Sequence, residues 1–228
     1  MIAYIEKINV INCLPYHIID GVSLNKKVVV SENWQQFFDD NYVTISGWIE
    51  MKKVRYLQGR NPGVPGIIYK LAPENDKQRK LKYVRELWNA IMDVSAVYDI
   101  YTNKAFEKNR FDVDHFVPWS FVANDELWNL MPMDSSLNSS KSNSLPDWNK
   151  YFKKFSDNQY LMYQSAQKYG VIMDIFYKCK RDNLVMPWSL EELYVPECNK
   201  CIFTCVLEKN LKNVYDSARM QGYEVWKM

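Results

Sequence analysis

The segment from residue 110 to residue 146 constrains the fold most, because its apolar residues change from helical spacing to short runs. Two strands are predicted there, at Arg110–Phe116 and at Trp128–Met133. A loop containing Asn124-Asp125-Glu126 joins them, and Ser135–Ser142 is predicted to be a short helix. The segment is therefore predicted to form a strand, loop, strand, helix unit.

Both sides of this unit carry helical spacing. Upstream, one helix is predicted to begin at Ser31, whose hydroxyl should cap its first turn. Two further helices are predicted over residues 44–58 and 75–98. Downstream, residues 149–180 predict two helices, and residues 200–226 predict a strand followed by a helix.

The predicted fold class is α+β, mainly helical, with the strand–loop–strand–helix unit embedded in it. Three regions are expected along the chain. Residues 1–99 form a largely helical, basic N-terminal region, residues 100–148 contain the unit, and residues 149–228 form a helical and aromatic C-terminal region.

Composition excludes several common classes of site. The 7 glycines of this 228-residue chain spell neither GxGxxG nor GxxxxGK[ST], so Rossmann and P-loop nucleotide sites are excluded. The only histidines are His17 and His115, which excludes HExxH zinc sites, and His17 has no partner pattern. Five unevenly spaced cysteines argue against a secreted disulfide framework, and no apolar window is long enough to span a membrane. We expect a soluble, cytoplasmic protein with reduced thiols and no membrane partner.

The net charge of +2 hides a local asymmetry. Residues 52–110 contain thirteen Lys or Arg and six Asp or Glu, whereas residues 111–148 contain one Lys and six Asp or Glu. A basic stretch can attract phosphates and an acidic one can hold a cation, as a metal-dependent enzyme acting on a polyphosphate requires. Solvated helix faces would explain the same charges.

The first predicted strand carries two carboxylates and a histidine. The two-residue period of a strand places Asp112 and Asp114 on one face and His115 on the other. Asn129 follows His115 by fourteen residues, and Asn138 follows it by twenty-three. A lone histidine on a strand is commonly structural, so the argument for chemistry depends on these neighbours.

At these positions the sequence resembles the HNH endonucleases. Their ββα-metal motif has an Asp-His pair on the first strand, an Asn leading the second strand, and an Asn or His on the helix. The run Asp112-Val113-Asp114-His115 and the stretch from Asn138 to Pro146 are especially similar to the HNH domain of the RNA-guided CRISPR nucleases. The resemblance covers roughly residues 100–148.

The resemblance implies roles for the polar residues. Asp114 and Asn138 would be the ligands of one divalent ion, Mg²⁺ or Mn²⁺. His115 would be the general base that deprotonates the attacking water. Asn129 would belong to the catalytic site by fixing the loop and the imidazole, or would be a structural turn-former only.

Two further residues are candidates for a supporting role. Asp112 could hydrogen-bond a metal ligand or contact the ion through water. Lys141 lies on the same predicted helix as Asn138 and could contact a phosphate. A solvated carboxylate and a solvated lysine would explain both residues equally well.

Many HNH proteins bracket this motif with Cys-x-x-Cys pairs that hold a structural zinc, and here residues 98–103 contain no cysteine. Four thiolates could still form a tetrahedral site, namely Cys179, Cys198, Cys201 and Cys205. Because Cys201 and Cys205 lie in an apolar run, where buried thiols act as small hydrophobes, we do not expect structural Zn²⁺.

The resemblance implies a metal-dependent endonuclease that hydrolyses phosphodiester bonds in DNA, acting as a restriction or phage-defence effector. RNA remains open as a substrate. The alternative is a catalytically silent nucleic-acid-binding or partner-docking protein on the same scaffold. Since one such site cuts one strand per visit, a homodimer or a partner protein remains open as well.

Overall fold

The computed structural model describes residues 2–22, 25–60, 67–71 and 80–228. They fall into two compact units, Met1–Leu57 and Gln58–Met228. Helices dominate the described residues, which also contain two antiparallel sheets of two strands each. The predicted fold class, mainly helical α+β, is confirmed. The division into three regions at residues 99 and 148 stays a prediction.

The first unit contains a β-hairpin flanked by helices. Helix α1 (Ile2–Asn12) precedes strands β1 (Tyr16–Val22) and β2 (Asn25–Val30), which pair with Tyr16 opposite Val30. Helices α2 (Glu32–Asp40) and α3 (Tyr42–Arg60) follow, and α3 continues into the second unit. The helix predicted over residues 44–58 is thus present and slightly longer.

Ser31 caps helix α2 in a different way from the one predicted. It is the N-cap residue, but its side chain makes no capping hydrogen bond. Its carbonyl oxygen instead accepts hydrogen bonds from the backbone N–H groups of Trp34 and Gln35, both at 2.9 Å. The helix start was therefore predicted correctly and the role of the hydroxyl was wrong.

The second unit contains the remaining elements. In chain order they are α4 (Ile67–Leu71), α5 (Lys82–Met92), β3 (Asp112–His115), α6 (Trp119–Val122), a 3₁₀ turn (Leu127–Asn129), β4 (Leu130–Met133), α7 (Ser135–Lys141), α8 (Trp148–Lys168), α9 (Gly170–Asn183), a π-helical turn (Ser189–Leu193) and α10 (Lys200–Met220). Helix α9 packs against both α5 and α8, and α10 packs on α8. No helix among the described residues is long and apolar enough to cross a membrane.

Helix α5 is amphipathic, as its sequence predicts, but it is shorter than the predicted span. Its buried residues, Val84, Leu87, Trp88 and Ile91, recur every three or four positions and so form one face. The structure has this helix at Lys82–Met92, and residues 75–79 of the predicted helix lie outside the described residues.

Helix α10 replaces a predicted strand. Asn199 is its N-cap, and the side chain accepts a hydrogen bond from the Ile202 N–H at 3.0 Å. Its buried residues, Phe203, Leu207, Leu211, Tyr215 and Ala218, recur every three or four positions, which is the period of a helix rather than a strand. The apolar run that includes the cysteines is therefore helical, and Cys201 and Cys205 are exposed rather than buried.

The strand–loop–strand–helix unit is present, with shorter strands than predicted. Strands β3 and β4 are antiparallel, with Asp112 opposite Met133 and His115 opposite Leu130. Trp128 and Asn129, predicted as the start of the second strand, belong to the 3₁₀ turn instead. The predicted short helix is α7, whose N-cap Asp134 accepts hydrogen bonds from two backbone N–H groups of the first turn.

Candidate functional site

Helix α7 packs against strand β3 and pairs two of its side chains with the two carboxylates of the strand. Asn138 Nδ2 donates a hydrogen bond to Asp112 Oδ2 at 3.1 Å, and Lys141 Nζ donates to Asp114 Oδ2 at 2.8 Å. The carboxylates are two positions apart on the strand, and their partners are three positions apart on the helix, so the pairs lie side by side. The fold thus brings four of the six predicted site residues together.

Lys141 is fully buried, which is rare for a lysine. Its ammonium donates to Asp114 Oδ2 and also to the backbone oxygen of His115, both at 2.8 Å. Because none of its side chain is exposed, it does not present its charge to a phosphate in solution. The geometry favours a supporting role, in which Lys141 holds Asp114 and the backbone of the adjacent histidine.

The imidazole of His115 is held by the loop that joins the two strands. The side chain is 1% exposed, and its Nε2 lies 3.0 Å from the backbone oxygen of Asn124 and 3.1 Å from Asp125 Oδ1. A carbonyl oxygen only accepts hydrogen bonds, so Nε2 carries a proton. In the neutral ring the basic nitrogen is then Nδ1, and any proton taken from water goes to that atom.

Both the oxygen and the nitrogen of the Asn129 side-chain amide form hydrogen bonds with the backbone that follows strand β3. Its Oδ1 accepts from the N–H of Val117 at 2.8 Å, and its Nδ2 donates to the oxygen of Val117 at 2.9 Å. Its own carbonyl accepts from the Phe116 N–H at 2.8 Å, and the residue is fully buried. Asn129 therefore acts on His115 through the two residues that follow it in the chain, which is the loop-fixing geometry.

Residues 124–126 are tied to distant parts of the second unit. Asp125 Oδ2 accepts from the backbone N–H of Lys80 at 3.0 Å, and Asn183 Nδ2 donates to the carbonyl of Asp125 at 2.7 Å. Glu126 Oε1 accepts from the backbone N–H groups of Val185 and Met186, at 3.0 and 3.2 Å. The position of the loop that holds His115 thus depends on residues far from it in sequence.

Two groups near the site have shifted pKa values. Burial raises the pKa of Glu126 from 4.5 to about 7, although the hydrogen bonds it accepts favour the ionised form. Burial also raises the pKa of Tyr101 well above its ordinary value, with Asp114 and Asp99 adding to the shift. Tyr101 Oη is buried, and it makes no hydrogen bond within the part of the chain that the structure describes.

The oxygen atoms at the strand–helix contact are of the chemical type that a hard divalent ion binds. Asp112 and Asp114 supply carboxylates, and Asn138 supplies an amide whose nitrogen donates to Asp112 and whose oxygen accepts no hydrogen bond from the described residues. Carboxylate and amide oxygens together with water are the ligands that Mg²⁺ takes in proteins. Over the described ranges, no group of three or more His, Cys, Asp or Glu is placed to hold a metal, so the Asn138 oxygen and water are needed to complete the set.

Several charges of the predicted basic stretch are paired locally. The ion pairs are Lys80 with Asp182 at 3.0 Å, Lys108 with Asp93 at 2.6 Å and Arg110 with Glu107 at 2.7 Å. Arg85 donates to the backbone oxygen of Phe111, at the entry to strand β3. A role of residues 52–110 in attracting phosphate stays a prediction.

Asn124 and Asp125 are the site residues that the sequence did not identify as such. In the sequence they mark a polar loop between two strands, and such a loop is common on any surface. The available signal was position, because in a two-stranded unit this loop must return past the end of the strand that carries His115.

Comparison with known families and proteins agrees with this geometry. The model of the HNH endonuclease family matches residues 99–147. No curated protein sequence matches the chain. The matched range contains both strands, helix α7 and the residues that surround His115. The chain therefore carries a domain of the HNH endonuclease family at residues 99–147.

Proposed function

We propose that this protein is a metal-dependent endonuclease that hydrolyses phosphodiester bonds in DNA. The observation that carries the proposal is the contact of the Asp112 and Asp114 carboxylates on β3 with helix α7, directly before His115 in the chain. A carboxylate that could bind a cation and a nitrogen base thus come from adjacent residues of one strand. Phosphodiester hydrolysis needs these two functions at one phosphate.

The ion would be held by Asp114 and Asn138, with Asp112 beside them, and it would offset the negative charge that develops on the phosphate. His115 takes a proton from water at Nδ1, while its Nε2–H stays on the Asn124 carbonyl. The water oxygen forms a bond to phosphorus as the bond to the 3′ oxygen breaks, and the leaving 3′ oxygen takes a proton from a second water, which leaves 5′-phosphate and 3′-hydroxyl ends. Asp125 Oδ1, 3.1 Å from Nε2, faces the positive charge that then forms on the ring.

Lys141 and Asn129 keep this geometry in place. Lys141 fixes one oxygen of Asp114 and the carbonyl of His115, so the ligand and the base share one anchor. Asn129 fixes the chain after His115 through Val117. Both act on the orientation of groups that touch the substrate and do not touch it themselves.

The burial of His115 favours a second candidate, a catalytically silent nucleic-acid-binding or partner-docking protein on the same scaffold. With 1% of the side chain exposed, bulk water does not reach Nδ1 freely in this conformation. An active enzyme therefore requires that the substrate or a partner opens this face, whereas a silent scaffold requires no such change.

The decisive experiment is cleavage of supercoiled plasmid by the full chain in Mg²⁺, Mn²⁺ or EDTA. We expect nicking that depends on the metal, is lost in His115→Ala and Asp114→Ala, and persists in His17→Ala. The matched control is the other histidine of the chain, which contacts Asn9 and Glu6 in the first unit. Full cleavage by His115→Ala would exclude the mechanism. Absence of cleavage by the folded wild type would favour the silent scaffold.

Three finer expectations have their own measurements. Single-stranded DNA and RNA in the same assay define the substrate. Linear product at low enzyme concentration would indicate a dimer or a partner, since one site makes one nick. A restriction or phage-defence role predicts that phage plating falls in cells that express the wild type and recovers with His115→Ala.

A further inference from the structure

A small cavity of about 240 Å³ lies beside the loop that holds His115. Its lining consists of two valines and six larger residues, namely Trp128, Trp188, Met186, Asn124, Asn210 and Asn213. The volume is below the roughly 300–1,000 Å³ of pockets for drug-sized ligands, so it suits a single ring system. Helix α10, the 124–128 loop and the segment around residues 186–188 together form the walls.

The lining has aromatic surface and amide groups but no formal charge. The ring centroids of Trp128 and Trp188 are 5.1 Å apart at an angle of 51°. Trp128 is held in place because its Nε1 donates to Glu126 Oε2 at 3.1 Å. A phosphate or another ion would find no counter-charge here, whereas a neutral, flat ligand could contact the indole rings.

The amides provide hydrogen-bonding atoms that internal contacts leave unused. Asn124 Oδ1 is buried and accepts no hydrogen bond within the described part of the chain. Asn210 uses its Nδ2 on the carbonyl of Val206 at 2.9 Å, which leaves its Oδ1 as an acceptor. Asn213 is exposed at the cavity edge. Asparagine amides carry both donors and acceptors, and they pair with the edges of nucleobases.

The cavity and the catalytic site share a residue. Asn124 is among the residues that line the cavity, and its backbone oxygen lies 3.0 Å from Nε2 of His115. A ligand in the cavity would therefore contact the residue that holds the proposed base.

We propose that this cavity binds one unpaired nucleobase of the substrate strand, stacked on Trp188 and hydrogen-bonded by the asparagine amides. This inference rests on the proposed nuclease function and specifies its substrate: a strand with an unstacked base beside the scissile phosphate. A base held in a duplex cannot enter, because its faces and its pairing edge are already occupied.

The test uses the full chain in EDTA, so that binding is measured without cleavage. The probe is a short DNA single strand containing 2-aminopurine, whose fluorescence is quenched by stacking on an indole. The same strand annealed to its complement and an RNA strand of equal sequence are the comparison arms. The variants are Trp188→Ala and Asn213→Asp, and Tyr177→Ala on helix α9 is the matched control, since Tyr177 is an exposed aromatic outside the cavity.

We expect quenching by a single strand and little quenching by the duplex. Trp188→Ala should weaken single-strand binding by about 5- to 150-fold, the range for loss of one stacked base. Asn213→Asp, at an exposed position that does not endanger folding, should weaken it as well, and Tyr177→Ala should not. Quenching by DNA or by RNA identifies which strand supplies the base, and either supports the cavity.

Equal affinity of the two cavity variants and the wild type for the single strand would overturn the proposal, as would equal quenching by single strand and duplex. The outcome is independent of catalysis. Quenching that depends on Trp188 in a protein that never cuts DNA would refute the proposed nuclease and keep the base site. Metal-dependent cutting of DNA without such quenching would support the proposed nuclease and refute the base site.

Discussion

The buried pair of Lys141 and Asp114 gives the sharpest test of the candidate site. Replacing Lys141 by Met keeps most of the side-chain length and removes the ammonium. Asp114 Oδ2 and the carbonyl of His115 then lose a donor at 2.8 Å each. Removing one partner of a buried ion pair costs about 3–5 kcal/mol, because the other charge stays buried without compensation.

The structure sets where in this range the effect should fall. Lys141 is fully buried, but the side chain of Asp114 is 13% exposed, so water can solvate part of the remaining carboxylate. We therefore expect Lys141→Met to lower the free energy of unfolding by about 3 kcal/mol, near the lower limit. Asp114→Asn keeps an oxygen acceptor for the ammonium and should cost about 1.5–3 kcal/mol, as for a hydrogen bond to a charged group.

The assay is urea unfolding in EDTA, followed by tryptophan fluorescence. This signal reports mainly on the second unit, because of the 8 tryptophans only Trp34 and Trp48 lie in the first. Lys153→Met is the matched control, since Lys153 pairs with Asp157 on the surface of helix α8 and is 83% exposed. Its loss should cost at most about 0.5 kcal/mol.

The double variant Lys141→Met/Asp114→Asn completes a cycle. Because it leaves no buried charge behind, its cost should be smaller than the sum of the two single costs, with a coupling of about 1–3 kcal/mol. If Lys141→Met were as mild as Lys153→Met, the ammonium would not be compensating a buried carboxylate. That result would refute the role of Lys141 as the residue that holds both Asp114 and the backbone of His115.

Three further predictions concern other buried groups. Since the pKa of Glu126 is raised from 4.5 to about 7 in the fold, folding binds its proton more tightly, so the free energy of unfolding should fall by about 3 kcal/mol as pH rises from below 4.5 to above 7. Glu126→Gln should remove this slope in urea unfolding, and an unchanged slope would contradict the assignment. Cys201 and Cys205 are exposed and should react with a disulfide reagent in the native protein. Cys179, whose pKa burial raises to about 12, should react only on unfolding, and rapid native labelling at this position would show that it is open to solvent. Asn129→Ala leaves the N–H and carbonyl of the residue it holds without partners, so it should cost about 2–4 kcal/mol in urea, and wild-type stability would mean that water replaces the amide.

Much of the fold near the site follows from local pattern. The two-residue period put Asp112 and Asp114 on one face, and they do face the same helix. Residues Ser135–Ser142 were predicted to form a short helix, and α7 lies there. These features are local in sequence, because strand alternation and helix capping depend on residues a few positions apart.

Helix α10 shows where local pattern fails. The run from Cys201 to Val206 contains enough apolar residues to suggest a strand, but its buried members continue at helical spacing to Ala218. A window of six residues cannot separate a strand from the buried face of a helix. The N-cap at Asn199 was the available signal, since its amide oxygen accepts a hydrogen bond from the first turn.

The burial of Lys141 could not be foreseen from spacing either. Its position placed it on the same short helix as Asn138, but whether the ammonium turns inward depends on Asp114 and on the backbone oxygen of His115, which both come from strand β3. A lysine is ordinarily solvated, so sequence alone favours the exposed state. In the folded chain, hydrogen bonds to Asp114 and to the carbonyl of His115 stabilise the buried ammonium instead.

The loop around Asp125 makes the flanks part of the site rather than an addition to it. The family match ends at residue 147, yet the backbone of Lys80 and the amide of Asn183 both bond to Asp125. The backbone at residues 185 and 186 bonds to Glu126 in the same way. A segment restricted to residues 99–147 would lack these hydrogen bonds, and the loop would lose contacts that fix its position. Since the carbonyl of Asn124 sets which nitrogen of His115 is basic, a displaced loop would also release the tautomer of the proposed base. We therefore expect the proposed chemistry to require the helical flanks as well as the motif.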